Sequence, residues 1–261
     1  MKLPLYWIDA FSPVVFAGNP AAVVPLTAWP ADALMQRIAF ENGLAETAFF
    51  VPIEPGRYHL RWFTPSAEVD LCGHATLASA FVLFTQLGFA GERLTFDSRS
   101  GPLPVRRLPD GKLELDFPSR PAVPVTPPPA LLRGLGATPA EYAQAQANLA
   151  VFATAAEIRA IRPDFATLAT LEQYGTIVTA PGEDCDFVSR FFAPRVGVPE
   201  DPVTGSAHCV LTPYWAARLG KNRLHARQLS ARGGEVFCEL RGDRVGLAGH
   251  AALYLRGEIV V

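Results

Sequence analysis

Two stretches half a chain apart carry the same order of residues, and this repeat constrains the fold more than any other feature. Arg61-Trp-Phe-Thr-Pro65 leads through Asp70 and Cys72 to Gly73-His74 and an apolar run ending at Gly88. Arg190-Phe-Phe-Ala-Pro194 leads through Glu200-Asp201 to Gly205-Ser206 and an apolar run ending at Gly220, with its arginine 129 positions after the first. Each copy reads as an aromatic strand, a turn carrying an acid, and a glycine that opens a helix. A chain built this way is expected to fold as two like domains. The first N–H groups of a helix have no partner inside it, and the positive end of the helix dipole lies behind them. Gly73-His74 and Gly205-Ser206 are therefore expected to be anion-binding positions. Facing domains would turn both helix starts toward one small anionic ligand.

The helices themselves say how each domain is built. Gly73–Leu87 carries Leu77, Phe81, Phe84 and Leu87 on one stripe, small Ala75, Ala78 and Ala80 elsewhere, and only Gln86 as a strongly polar residue. A helix that is apolar nearly all round is buried on nearly all sides, so a sheet must curl around it. Ser206–Leu219 has the same character, with Gly220 placed to end it and Pro213 inside, which predicts a kink or a carbonyl without its helical partner. Strands are predicted on either side of both helices, the first two, Leu5–Phe11 and Ala21–Val24, forming a hairpin across the Phe16–Pro20 turn. Further short helices are predicted at Asp32–Asn42, Pro129–Gly136, Thr138–Gln144 and Pro163–Tyr174. The fold class is α+β: two similar domains, each a curled, mostly antiparallel sheet wrapped around a central helix. Six prolines between 118 and 129 mark the linker. The N-terminal domain is then 1–117 and the C-terminal domain 130–250, with 251–261 returning to the first.

Composition removes several classes of function. A net charge of −2 and a pI near 6.2 do not suit a nucleic-acid or anionic-membrane surface. Apolar runs such as Ala78–Phe84 are too short to span a bilayer. Cys72, Cys185, Cys209 and Cys238 show neither CxxC pairing nor zinc spacing. No apolar signal segment follows Met1, so a cytoplasmic protein with reduced thiols is expected.

Glu46 stands in an almost uncharged segment, Gly43-Leu-Ala-Glu-Thr-Ala-Phe-Phe. Buried there, its carboxyl would titrate higher than usual and could give and take protons near neutral pH; on an exposed strand edge it would do neither. Asp70 reads as a helix cap or as a site residue. Cys72, just before a helix start, would have its thiol pKa lowered as a nucleophile or thiol base, or would be a small buried side chain. His74 has no second histidine three or four positions away, so no metal site is expected. Asp201 could accept a proton or orient a ligand, or simply shape its turn.

Taken together, Ile8-Asp-Ala-Phe11 with Phe16-Ala-Gly-Asn19-Pro20, Ala45-Glu46-Thr47, Cys72-Gly-His-Ala-Thr76 and Glu200-Asp-Pro-Val-Thr-Gly-Ser-Ala207 resemble the PhzF-type phenazine-biosynthesis proteins. Gly249, Ala251 and Gly257-Glu-Ile259 fit the family's closing pattern, so the likeness runs nearly end to end. The resemblance implies isomerases of the diaminopimelate-epimerase fold, homodimeric and free of cofactor or metal, with the site between the domains. It implies that Glu46 shuttles a proton in a small carboxylate-bearing metabolite, with His74 and Asp201 as further catalytic groups. It also implies that Asn19, Asp70, Cys72, Gly73, His74, Gly205 and Ser206 line the substrate site. The related epimerases and racemases oppose two cysteines; here Cys72 holds the first position and the second loop offers no thiol. A one-thiol epimerase or racemase using Cys72, and a metabolite-binding protein without turnover, are the competing readings.

Overall fold

The computed structural model describes residues 1–261, which divide into two compact units, Met1–Asp116 with Ala248–Val261, and Phe117–Leu247. In the first unit the strand Lys2–Ala10 pairs antiparallel with both Ala251–Val260 and Asn19–Pro25. Asn19–Pro25 runs parallel to Glu46–Glu54, which pairs antiparallel with Arg57–Phe63. Arg57–Phe63 runs parallel to Arg93–Ser98, and that strand turns back antiparallel into Gly101–Arg107. The two-residue strand Glu68–Val69 folds back onto Trp62 and Phe63.

The second unit repeats this succession. Glu141–Gln144 pairs antiparallel with Asn148–Val151, which runs parallel to Thr176–Pro181. Thr176–Pro181 pairs antiparallel with Phe187–Ala193, which runs parallel to Arg223–Gln228, itself antiparallel to Gly234–Arg241. Val198–Asp201 folds back onto Phe187–Ala193 as Glu68–Val69 does in the first unit. Both units therefore read antiparallel, parallel, antiparallel, parallel, antiparallel. Each parallel step needs a crossover, and a helix supplies it. The helix Gly73–Thr85 crosses over in the first unit and Gly205–Leu219 in the second.

The repeated arginines explain why the lead-in to each crossover is alike. Arg61 Nε and Nη2 donate to the two carboxylate oxygens of Glu68 at 2.7 and 2.8 Å. Arg190 makes the same fork with Glu200 at 2.7 and 3.0 Å. Each guanidinium also lies over the phenylalanine two residues on, 5.2 Å from the Phe63 ring centre and 4.9 Å from that of Phe192. The planar fork fits a carboxylate in a way a lysine cannot, so each arginine pins the returning short strand that delivers the chain to the helix start.

Both central helices are buried as their composition demands. Every residue of Gly73–Thr85 except Gly73, Phe81 and Thr85 is buried, and Val82, Leu77 and Ala78 have no exposed surface. In Gly205–Leu219 the carbonyl that Pro213 cannot pair, that of Cys209, accepts a 2.9 Å bond from the Arg120 N–H instead. The helix expected over Thr138–Gln144 is a strand over Glu141–Gln144, because Tyr142 and Ala143 find sheet partners across a tight turn to Asn148–Val151. Of the helix expected over Pro163–Tyr174 only Phe165–Leu168 is formed. No helix is long and apolar enough to cross a membrane.

Candidate active site

The first set of site residues assembles where the strand Glu46–Glu54 begins and the helix Gly73–Thr85 starts. Glu46 opens its strand beside Ala21, at the end where Asn19 also sits. Gly18 brings the chain to Asn19 with φ +71°, and a side chain there would collide with the Ala10 carbonyl, so glycine is required. Cys72 is the residue before the helix, in an extended conformation, and His74 is its second residue. These local placements converge. His74 Nε2 lies 3.2 Å from Glu46 Oε2, in ion-pair contact. His74 Nδ1 is 3.2 Å from the Asn19 carboxamide nitrogen and 3.5 Å from Cys72 Sγ. All four side chains are largely enclosed, with His74 at 7% and Glu46 at 17% exposed.

Electrostatics then depart from what Glu46's neighbours in sequence suggested. Burial does push the Glu46 carboxyl upward, but the charge and hydrogen bonding of His74 outweigh it, and the net shift is downward. For His74 burial works against the charged form, and Cys72 and Glu46 overcome it, holding the imidazole well above its ordinary value. Glu46 and His74 thus each favour the charged form of the other. Cys72 moves opposite to the helix-start expectation. Burial first, and the Glu46 charge second, push its thiol up to about 11. A thiol in that state is a poor nucleophile and a poor base.

The second set lies at the start of Gly205–Leu219. Asp201 Oδ2 accepts a 2.6 Å bond from the Thr204 hydroxyl, and the Asp201 carbonyl accepts one of 2.7 Å from Gln228 Nε2. Gln228 also accepts from the Thr204 N–H at 3.0 Å and donates to the Thr204 hydroxyl, so one fully buried carboxamide holds the whole turn. Ser206 Oγ is 2.9 Å from the Tyr174 hydroxyl. Gln228 and Tyr174 lie 24 and 32 residues from their partners, and no local pattern announces either. Gly205 is buried at the first helical position.

Asp70 is not a cap. Its side chain is 74% exposed and 3.7 Å from Arg99, while the residue before the helix is Cys72 and receives no side-chain cap. All four cysteines are free; burial raises Cys209 and Cys238 to about 12, and Cys185 is raised as well. Although no zinc spacing exists in the sequence, the fold gathers one donor atom each from Glu46, Cys72 and His74 within 4.8 Å of one another.

Comparison with known proteins bears on the family and the fold. The family model described as "Phenazine biosynthesis-like protein" matches residues 8–257. A Pseudomonas aeruginosa protein named as an uncharacterized isomerase is 55% identical over 260 residues, covering 99% of both chains. A crystal structure of a PhzF-family phenazine biosynthesis protein from Enterococcus faecalis superposes with a TM-score of 0.97 at 46% identity, over 100% of both chains. A probable proline racemase from Agrobacterium radiobacter, at 12% identity, a TM-score of 0.66 and 99% and 93% coverage, shares the fold. The chain therefore belongs to the phenazine biosynthesis-like (PhzC-PhzF) family and is an isomerase of it.

Proposed function

We propose that this isomerase moves a proton between carbons of a small carboxylate-bearing metabolite by general acid/base catalysis, with Glu46 as the carrier. The observation that carries the reading is the enclosed Glu46–His74 pair, 3.2 Å from oxygen to nitrogen. Held ionised beside an imidazolium, the Glu46 carboxylate is a base in the resting state. It takes a carbon-bound proton, and the carboxylic acid so formed returns that proton to a second carbon of the same molecule. One residue closes the cycle, which fits a buried Cys72 whose thiol is raised to about 11. His74 supplies the positive charge that steadies the electron pair left on the substrate. The substrate carboxylate is bound by backbone N–H groups at a helix start. Gly73-His74, beside the pair, is that helix start in this reading; roles for Asp201, Gly205 and Ser206 in binding polar groups of the ligand rest on family membership. The reaction draws on no cofactor. A homodimeric, cytoplasmic enzyme of a biosynthetic route belongs to the same proposal and rests on family membership.

The test is deuterium incorporation at carbon when candidate acids are incubated in D₂O. Glu46→Gln keeps the shape and removes the titration, and loss of a general acid/base group costs about 10²–10⁴-fold in rate. Cys72→Ala is expected to cost far less, through packing. Should Cys72→Ala abolish exchange while Glu46→Gln retains it, a one-thiol epimerase replaces this reading.

A further inference from the structure

We propose that Glu46, Cys72 and His74 also form a capture site for a thiophilic divalent cation, with Zn²⁺ as the reference case. The three residues offer a carboxylate oxygen, a sulfur and an imidazole nitrogen, the donor types that zinc prefers, all within 4.8 Å of one another. Zinc binds nitrogen and oxygen at about 2.0–2.1 Å and sulfur at about 2.3 Å in a tetrahedron. Those bond lengths put nitrogen and oxygen about 3.3 Å apart, and nitrogen and sulfur about 3.6 Å apart. In the fold His74 Nε2 is 3.2 Å from Glu46 Oε2 and 4.0 Å from Cys72 Sγ, near those two separations. Glu46 comes from a strand and the other two from a helix start, so the donors meet without any spacing motif.

Charge completes the argument. A thiolate, a carboxylate and a neutral imidazole around Zn²⁺ sum to zero, which suits an enclosed position where an uncompensated charge is costly. On uptake the Cys72 sulfur–hydrogen bond and the His74 Nε2–hydrogen bond break, sulfur–zinc and nitrogen–zinc bonds form, and both protons leave to solvent with the displaced metal-bound waters. Nothing is oxidised or reduced. The fourth coordination position stays open to water or to a ligand carboxylate. Because the cation occupies the Glu46 oxygen, its uptake blocks proton transfer; that consequence rests on the proposed function, whereas metal uptake does not.

The experiment uses the untagged full-length chain, freed of metal with a chelator and titrated with Co²⁺. The expected result is one equivalent bound, with a thiolate-to-cobalt charge-transfer band in the near ultraviolet and tetrahedral visible bands, all displaced by Zn²⁺. Cys72→Ala and Cys72→Ser should lose the charge-transfer band and weaken Zn²⁺ binding at least about 100-fold, beyond what loss of an outer-shell partner costs. Two substitutions guard against one failing to fold, and circular dichroism checks each. A charge-transfer band that persists in both variants places the metal on another cysteine and overturns the proposal. So does a wild-type chain that binds Co²⁺ no better than the variants.

Discussion

His208 is buried without exposed surface in the second turn of Gly205–Leu219, and its neutral state should set part of the acid stability of the protein. Nδ1 lies 2.7 Å from the Thr204 carbonyl, which accepts its proton, and Nε2 is buried without a hydrogen-bond partner. Protonating Nε2 would place a charge where nothing receives it. Burial accordingly lowers the His208 pKa to about 4, against a smaller opposing pull from the Thr204 bond. In the unfolded chain the same imidazole titrates near its ordinary value of about 6.5. Between about pH 6.5 and 4 the unfolded state therefore binds the proton and the native state does not, so stability falls as pH falls through that window. At about 1.36 kcal/mol per pH unit, the full window amounts to about 3 kcal/mol. Urea unfolding at several pH values between 7 and 4 would be compared for the wild type and His208→Gln, which keeps a donor for the Thr204 carbonyl but does not titrate. Other titrating groups, including His74 with its opposite sign, are common to both proteins and cancel in the difference. The wild type should lose about 2–3 kcal/mol more than the variant over the window. Equal losses would refute the argument, because they would mean that His208 is protonated in the native state as readily as in the unfolded one.

With its thiol raised to about 11, Cys72 should react with iodoacetamide at pH 8 at least about 100-fold more slowly than free cysteine; mass-spectrometric rates read this, and labelling at the free rate would show an exposed thiolate. Gly18→Ala forces a side chain into the Ala10 carbonyl at a positive φ and should destabilise the protein by more than about 2 kcal/mol, measured by thermal or urea unfolding. Arg190→Lys replaces the two-bond fork to Glu200 with a point charge and should cost about 1–2 kcal/mol in the same assays, with Arg61→Lys behaving alike. Light scattering at micromolar concentration should report a homodimer; a single species of 28.2 kDa would refute it.

Much of the fold could be read from the chain because it is encoded locally and encoded twice. The all-round apolar helices, the glycines that open and close them, and the Arg-aromatic-Phe-small-Pro lead-ins each act within a few residues. They predicted two central helices within two residues of their observed ends. Local pattern failed at Thr138–Gln144, where Tyr142 and Ala143 pair across a tight turn with Ala150 and Leu149, a hairpin that the helical reading of this stretch missed. Asp70 failed for a related reason: capping needs the side chain to reach back over the helix start, and here it points to Arg99 instead.

The site divides along the same physical line. The residue types that can carry acid/base chemistry, Glu46, His74 and Asp201, and the helix starts that can bind an anion follow from the sequence alone. Which charge state they hold does not, because a pKa is set by neighbours in space. Glu46 reads as an isolated carboxyl among apolar residues until the fold sets His74, 28 positions later, at 3.2 Å and reverses the direction of its shift. The same convergence buries Cys72 beside that carboxylate and silences a thiol that its helix-start position would have activated. Gln228 and Tyr174 became visible only when strands and loops distant in the chain were folded against the start of the second helix. Sequence determined the elements and the chemical groups, which depend on near neighbours; tertiary structure decided protonation and positioning, which depend on contacts between residues far apart along the chain.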